Sequence, residues 1–122
     1  MSDALAEMML RNLREVFSER DPARRKAAIA AIYAEDAVLY EAEGQVEGRE
    51  AIDAHVGGLL NRFPAAFAFT PRGAPARNHD IGRLCWQLGP AGAAAVRTGM
   101  DVARFEGGRI RALYVFLDPN GH

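Results

Sequence analysis

His55 lies in the middle of an otherwise apolar helical stripe. Ile52, His55, Val56, Leu59, Leu60 and Phe63 fall at i, i+3, i+4, i+7, i+8 and i+11, which is one face of a helix. The imidazole therefore points toward a core or a pocket. It titrates near neutral pH and can serve there as acid, base or hydrogen-bond donor. The competing reading is a core histidine satisfied by one backbone carbonyl, the commoner outcome for this pattern taken alone. Asp101 sits inside a long strand-like run, with Arg97, Gly99, Ala103 and Phe105 on its face and Thr98, Met100 and Val102 on the other. If the Asp101 face turns inward, the small neighbours Gly99 and Ala103 leave room beside the carboxyl. Burial then raises its pKa, so that it donates a hydrogen bond or a proton near pH 7. If the other face is buried, Arg97 and Asp101 are surface neighbours, and periodicity does not choose. Glu41 ends a short apolar run on the face of Leu39, a place for a general base at a cavity. Alone it reads equally as an exposed glutamate in an acidic loop beside Glu43 and Glu47.

Other chemistry is thinly represented. Tyr33, Tyr40, Trp86 and Tyr114 either line a pocket or fill the core. Cys85 has no helix start or basic cluster beside it to make it a nucleophile. His55, His79 and His122 share no ligand spacing, and neither HxxxH nor CxxC occurs, so no metal site is expected. GxGxxG, GxxxxGK[ST] and GxSxG are also missing, and no cofactor is expected.

The elements that must position these residues divide the chain in two. The first half is helical. Met9, Leu13, Val16 and Phe17 recur at helical spacing. Asp21-Pro22 opens a second helix, with aspartate as cap and proline at the first turn. Its stripe is Ile29, Ile32 and Tyr33, and its end is expected near Glu35-Asp36. Ala37 to Glu41 reads as a strand bounded by Gly44. The His55 helix follows Gly48-Arg49-Glu50 and is stopped by Pro64. The second half reads as strands. Phe67 and Phe69 alternate, and Leu84, Trp86 and Leu88 share a face of Ile81 to Leu88. After the turn Gly89-Pro90-Ala91-Gly92 come Ala94 to Phe105, a hairpin loop Glu106-Gly107-Gly108-Arg109, and Ile110 to Leu117. This is an α+β pattern. The expected architecture is three N-terminal helices packed on a strongly curved, mainly antiparallel sheet, a cone-like barrel with an internal pocket.

Composition is consistent with one folded domain over residues 1–122. Hydrophobic residues make up 49% and charged residues 25%, which argues against disorder. A net charge of −1 offers no basic field for nucleic acid or an anionic membrane. Of 15 basic residues 14 are arginines, so a single arginine is weak evidence of a chosen binding group. One cysteine makes no internal disulfide, no apolar run is long enough for a membrane span, and the acidic N-terminus is unlike a signal peptide. A cytoplasmic protein is the expectation.

Several segments together resemble the nuclear transport factor 2-like superfamily, and within it the SnoaL-like branch, which includes polyketide cyclases and is related in fold to ketosteroid isomerase. Ile32-Tyr33-Ala34-Glu35-Asp36-Ala37-Val38 resembles the entry to its first strand. Gly48-Arg49-Glu50-Ala51-Ile52 resembles the start of its third helix. Thr98-Gly99-Met100-Asp101-Val102, Gly108-Arg109-Ile110 and Phe116-Leu117-Asp118 resemble its last two strands. By this resemblance the general base of ketosteroid isomerase falls on Glu41, its oxyanion-hole aspartic acid on Asp101, and a pocket-lining aromatic on His55. The implied substrate pocket is lined by Tyr33, Leu39, Trp86, Gly99, Ala103 and Val115. Its first-helix tyrosine has no counterpart, since no tyrosine precedes Tyr33. The strand carboxylates of limonene epoxide hydrolase have none on Leu113-Tyr114-Val115-Phe116 either.

The resemblance thus implies a cofactor-independent enzyme of isomerase, cyclase or dehydratase type, acting on a small apolar carbonyl compound. It also implies a homodimer through the outer face of the sheet. The alternatives are a non-catalytic small-molecule-binding dimeric domain or a protein–protein adaptor. The adaptor needs a large exposed apolar patch, and the acidic, Gly-containing stretch Glu41 to Glu50 gives it little support.

Overall fold

A computed structural model describes residues 3–119; His122, in the polar tail, lies outside them. Asp3 caps helix α1 (Ala4–Arg11), its Oδ1 accepting from the Leu5 and Ala6 amides at 3.0 and 3.3 Å. The helix continues as a wider π-helical turn, Asn12–Phe17, in which Asn12, Leu13, Val16 and Phe17 are all buried. Helix α2 (Pro22–Ile32) has the expected start: Asp21 Oδ2 accepts from the Arg24 amide at 2.9 Å, and Pro22 occupies the first turn.

The end of α2 differs from the sequence expectation. The helix stops at Ile32, and Tyr33 already opens strand β1 (Tyr33–Glu41). The cause is tertiary. Arg49, at the start of helix α3 (Arg49–Leu60), donates to the Tyr33 carbonyl from Nε and Nη2 at 3.0 and 2.7 Å, and to the Ala30 carbonyl at 3.2 Å. The carbonyls left free at the helix end are thus satisfied from a distant element. Helix α3 likewise ends at Leu60 and not at Pro64. Arg20 collects the carbonyls of Leu60, Pro64 and Phe67 at 2.9, 2.8 and 3.2 Å. Phe63 therefore leaves the helix and stacks on Phe67, with ring centroids 5.8 Å apart.

The remaining strands are β2 (Gly44–Glu47), β3 (Phe67–Pro71), β4 (Ala76–Asn78), β5 (Ile81–Pro90), β6 (Arg97–Glu106) and β7 (Arg109–Leu117). The short β2 and β4 are not legible as strands in the sequence. β6 starts at Arg97, so Ala94 to Val96 belong to the preceding loop. The sheet order is β2-β1-β7-β6-β5-β3, with β4 on β5. Among the described residues, only β1 and β7 pair in parallel. β2 and β3 end the ladder, so the sheet is curved but open, not a closed barrel.

The helices lie against the concave face. Met9, Leu13, Val16, Ile29, Ile32, Ile52 and Val56 pack with Leu39, Leu84, Ala103 and Leu113 in one core. Phe17, Phe69 and Trp86 cross it edge to face, with centroid separations of 5.9 and 5.1 Å. α2 and α3 are clamped by a buried ion pair, Arg25 Nε to Asp53 Oδ1 at 2.7 Å. Gly57 makes room for it, since a Cβ there would lie 2.8 Å from Arg25 Nη2.

Candidate functional site

β6 settles the face that the sequence leaves open. Gly99, Asp101, Ala103 and Phe105 are buried, and Met100, Val102 and Arg104 are half-buried on the convex side. Asp101 is only 3% exposed. Its Oδ1 accepts a hydrogen bond from the Trp86 indole nitrogen at 2.9 Å. Burial pushes its pKa up to about 7, against the opposing pull of that hydrogen bond. The indole reaches Asp101 by lying over Gly99. A Cβ at Gly99 would overlap the Trp86 ring on one side and the Phe116 carbonyl on the other, so no larger residue fits without moving one of them.

Glu41 and His55 meet each other. His55 Nε2 lies 3.0 Å from Glu41 Oε1, joining α3 to the end of β1, and both side chains are about one-third exposed. The strand register places this pair relative to Asp101. Tyr40 of β1 is opposite Tyr114 of β7, so Glu41 comes level with Val115. Val115 is opposite Asp101, and Asp101 is opposite Leu84. Glu41 and Asp101 therefore occupy one row of the concave face with β7 between them, a separation on the order of 10 Å at the backbone.

The expected lining residues separate by depth. Val115 is half-buried beside Asp101, whereas Trp86, Gly99 and Ala103 are buried. Tyr33 and Leu39 are fully buried in the packed core, where only a deeply inserted ligand would touch them. A cleft of about 220 Å³ between α2 and α3 is lined by Lys26, Ile29, Arg49, Glu50 and Asp53, none of them an expected site residue. Among the described residues, no three His, Cys, Asp or Glu side chains come together as a metal-ligating set. No helix among the described residues is long and apolar enough to cross a membrane.

Asn12 was not singled out from the sequence. It is fully buried, and its Oδ1 accepts from the Tyr33 hydroxyl at 2.6 Å. Burial, then the charge of Asp101, pushes the Tyr33 phenol well above its usual pKa, so it stays a neutral donor. The signal was present. Asn12 stands at i+3 from Met9 in an apolar stripe, as His55 does from Ile52.

A family model described as the SnoaL-like domain matches residues 10–113. The chain belongs to the SnoaL-like domain family. No curated protein matches this SnoaL-like chain in sequence. It is similar to a candidate isomerase of the SnoaL-like family from Agrobacterium tumefaciens, at 27% identity and a TM-score of 0.80 over 93% of this chain and 94% of that one. Two further structures share the fold. One is a candidate SnoaL-like polyketide cyclase from Jannaschia sp. CCS1, with 15% identity and a TM-score of 0.78 over 94% and 85% of the two chains. The other is a candidate ketosteroid isomerase from Kribbella flavida, with 12% identity and a TM-score of 0.72 over 94% and 78%.

Proposed function

We propose that this SnoaL-like chain is an acid–base enzyme acting on a small apolar carbonyl compound, of isomerase, cyclase or dehydratase type. One observation carries the reading: a carboxyl buried on the concave face, held by a single indole donor, with a pKa near neutrality. In its protonated form Asp101 donates to the carbonyl oxygen as that oxygen gains enolate charge. Glu41 removes the adjacent proton and becomes neutral as the negative charge passes to the enolate oxygen, and His55 Nε2, 3.0 Å from Glu41 Oε1, can accept that proton and restore the carboxylate. The two residues stand in one row of the concave face, on the order of 10 Å apart at the backbone with Val115 between them.

Hydrogen–deuterium exchange next to the carbonyl of simple cyclic ketones such as cyclohexanone, followed by proton NMR in D2O, reads enolate formation whatever the native product is. The native chain should exchange faster than buffer, and Glu41→Gln should be slower by about a hundredfold. Exchange no faster than buffer across such ketones would remove the catalytic reading. A second reading, a non-catalytic ligand-binding domain, would then stand.

We also propose that the convex face pairs with a second copy of the chain. Tyr40 and Tyr114 stack there at 4.6 Å, and Phe116 is 56% exposed beside half-buried Met100. Sedimentation at micromolar concentration should give a dimer, and Phe116→Glu should shift it toward monomer. A native monomer would refute the pairing.

A further inference from the structure

The strand register sets Trp86 of β5 opposite Gly99, while Asp101 stands two residues along on the same face of β6, opposite Leu84. The indole therefore crosses diagonally, over the bare backbone of Gly99, to bring its N–H within 2.9 Å of Asp101 Oδ1. Phe69 meets the ring edge to face at 5.1 Å, and Trp86 is 3% exposed, so the ring is held in that place. A buried indole N–H is satisfied by any neutral acceptor, such as a backbone carbonyl. A carboxyl is a costly choice of acceptor, because burial opposes its ionisation. The carboxyl is thus not explained by the needs of the indole, whereas the indole acts on the carboxyl.

The two oxygens of Asp101 are not equivalent. Oδ1 carries the indole, and Oδ2 takes no hydrogen bond among the described residues. Nor is Oδ2 sealed in, since among the described residues only Asn12 Nδ2 is a side-chain polar atom both closed off and unpaired. The small exposed part of Asp101 therefore includes Oδ2. A protonated carboxyl has a single O–H, and the oxygen already accepting an N–H is the poorer place for it.

We infer that Trp86 is a positioning residue: its N–H occupies Oδ1, confines the Asp101 proton to the reachable Oδ2, and turns a two-ended carboxyl into a donor with one direction. The inference rests on the reading of Asp101 as the donor to the ligand oxygen. The same hydrogen bond favours the ionised form and so works against burial, which holds the acid nearer neutrality than burial alone would. The other titratable groups around Asp101 are few. The Tyr33 phenol of β1 is kept neutral by burial, and Glu41 with His55 of α3 lies across Val115. The strand neighbours Leu84 and Val115 carry no charge.

The chain has one tryptophan, so biosynthetic replacement by benzothienylalanine exchanges this ring alone. Sulfur takes the place of the N–H and the two-ring shape is kept, which Trp86→Phe does not achieve. The carbon-13 resonance of the Asp101 carboxyl is titrated in both proteins, beside the pH profile of cyclohexanone exchange. Without the N–H the Asp101 midpoint should rise by about one pH unit, the worth of a hydrogen bond to a charged group. The loss of exchange that accompanies Asp101 ionisation should move up in pH with it. Where both proteins are protonated, the substituted one should be slower by about threefold to tenfold, because its proton is shared between two oxygens. In the native chain the single indole N–H resonance should move with the same midpoint as the carboxyl. An unmoved carboxyl midpoint, with or without a loss of rate, or an indole resonance indifferent to that titration, would show that Trp86 only fills the core. The inference then fails while the Asp101 reading stands. A native chain that exchanges no faster than buffer removes that reading, and the positioning role with it.

Discussion

At pH 8 the Asp101→Asn protein should resist urea better than the native chain, and the difference should close as the pH falls toward 4 and below. The sign follows from the raised pKa. Below about pH 4 the carboxyl is protonated whether the chain is folded or not. Between the usual value of 3.8 and the folded value of about 7, the unfolded chain releases its proton while the folded chain retains it. Stability is lost at about 1.4 kcal/mol per pH unit across that window. Above about pH 7 both states are ionised, and the deficit levels off at about 4 kcal/mol. Asparagine keeps an oxygen for the Trp86 indole and carries no charge, so it removes the deficit. The same substitution should slow ketone exchange by about a hundredfold to ten-thousandfold, because the amide is a weaker donor to an oxyanion than the carboxylic acid. Urea titrations across pH 4–8 check the first effect. A stability difference independent of pH would mean that Asp101 is ionised throughout.

Asp53→Ala should lower stability by about 3–5 kcal/mol, the cost of leaving a buried cation without its partner. Arg25 is 5% exposed and sits between α2 and α3. Its remaining hydrogen bond, from Nη1 to the Glu19 carbonyl at 2.8 Å, does not neutralise the charge. Arg25→Met/Asp53→Leu should recover most of the loss, because the pair is expensive to break and not expensive to replace. Denaturant midpoints of the single and double variants read this directly. A loss below about 1 kcal/mol in the single variant would show that the pair behaves as a surface ion pair.

The helices and the later strands were legible because their apolar periodicity survives in the sequence. What was hidden depended on partners far along the chain. The ends of α2 and α3 are fixed by Arg49 and Arg20, and no local rule marks these two among 14 arginines. The inward face of β6 could not be chosen because the convex side is apolar too, with Met100 and Val102 facing Phe116 and Tyr114. The meeting of Glu41 with His55 needed the return of α3 over β1. The resemblance pointed to Asp101, but its hydrogen bond to Trp86 depends on Gly99 being flat enough for the indole to cross.

The single parallel pairing has a consequence for how the chain assembles. β7 lies in the middle of the sheet, between β1 and β6, yet it follows every other strand in sequence. During synthesis the β1–β2 hairpin waits beside an empty slot until Ile110 arrives to meet Tyr33. Both neighbours of that slot lack a partner on that side until β7 pairs, so completion of the sheet depends on contacts between residues far apart in the chain, the kind of pairing that slows folding.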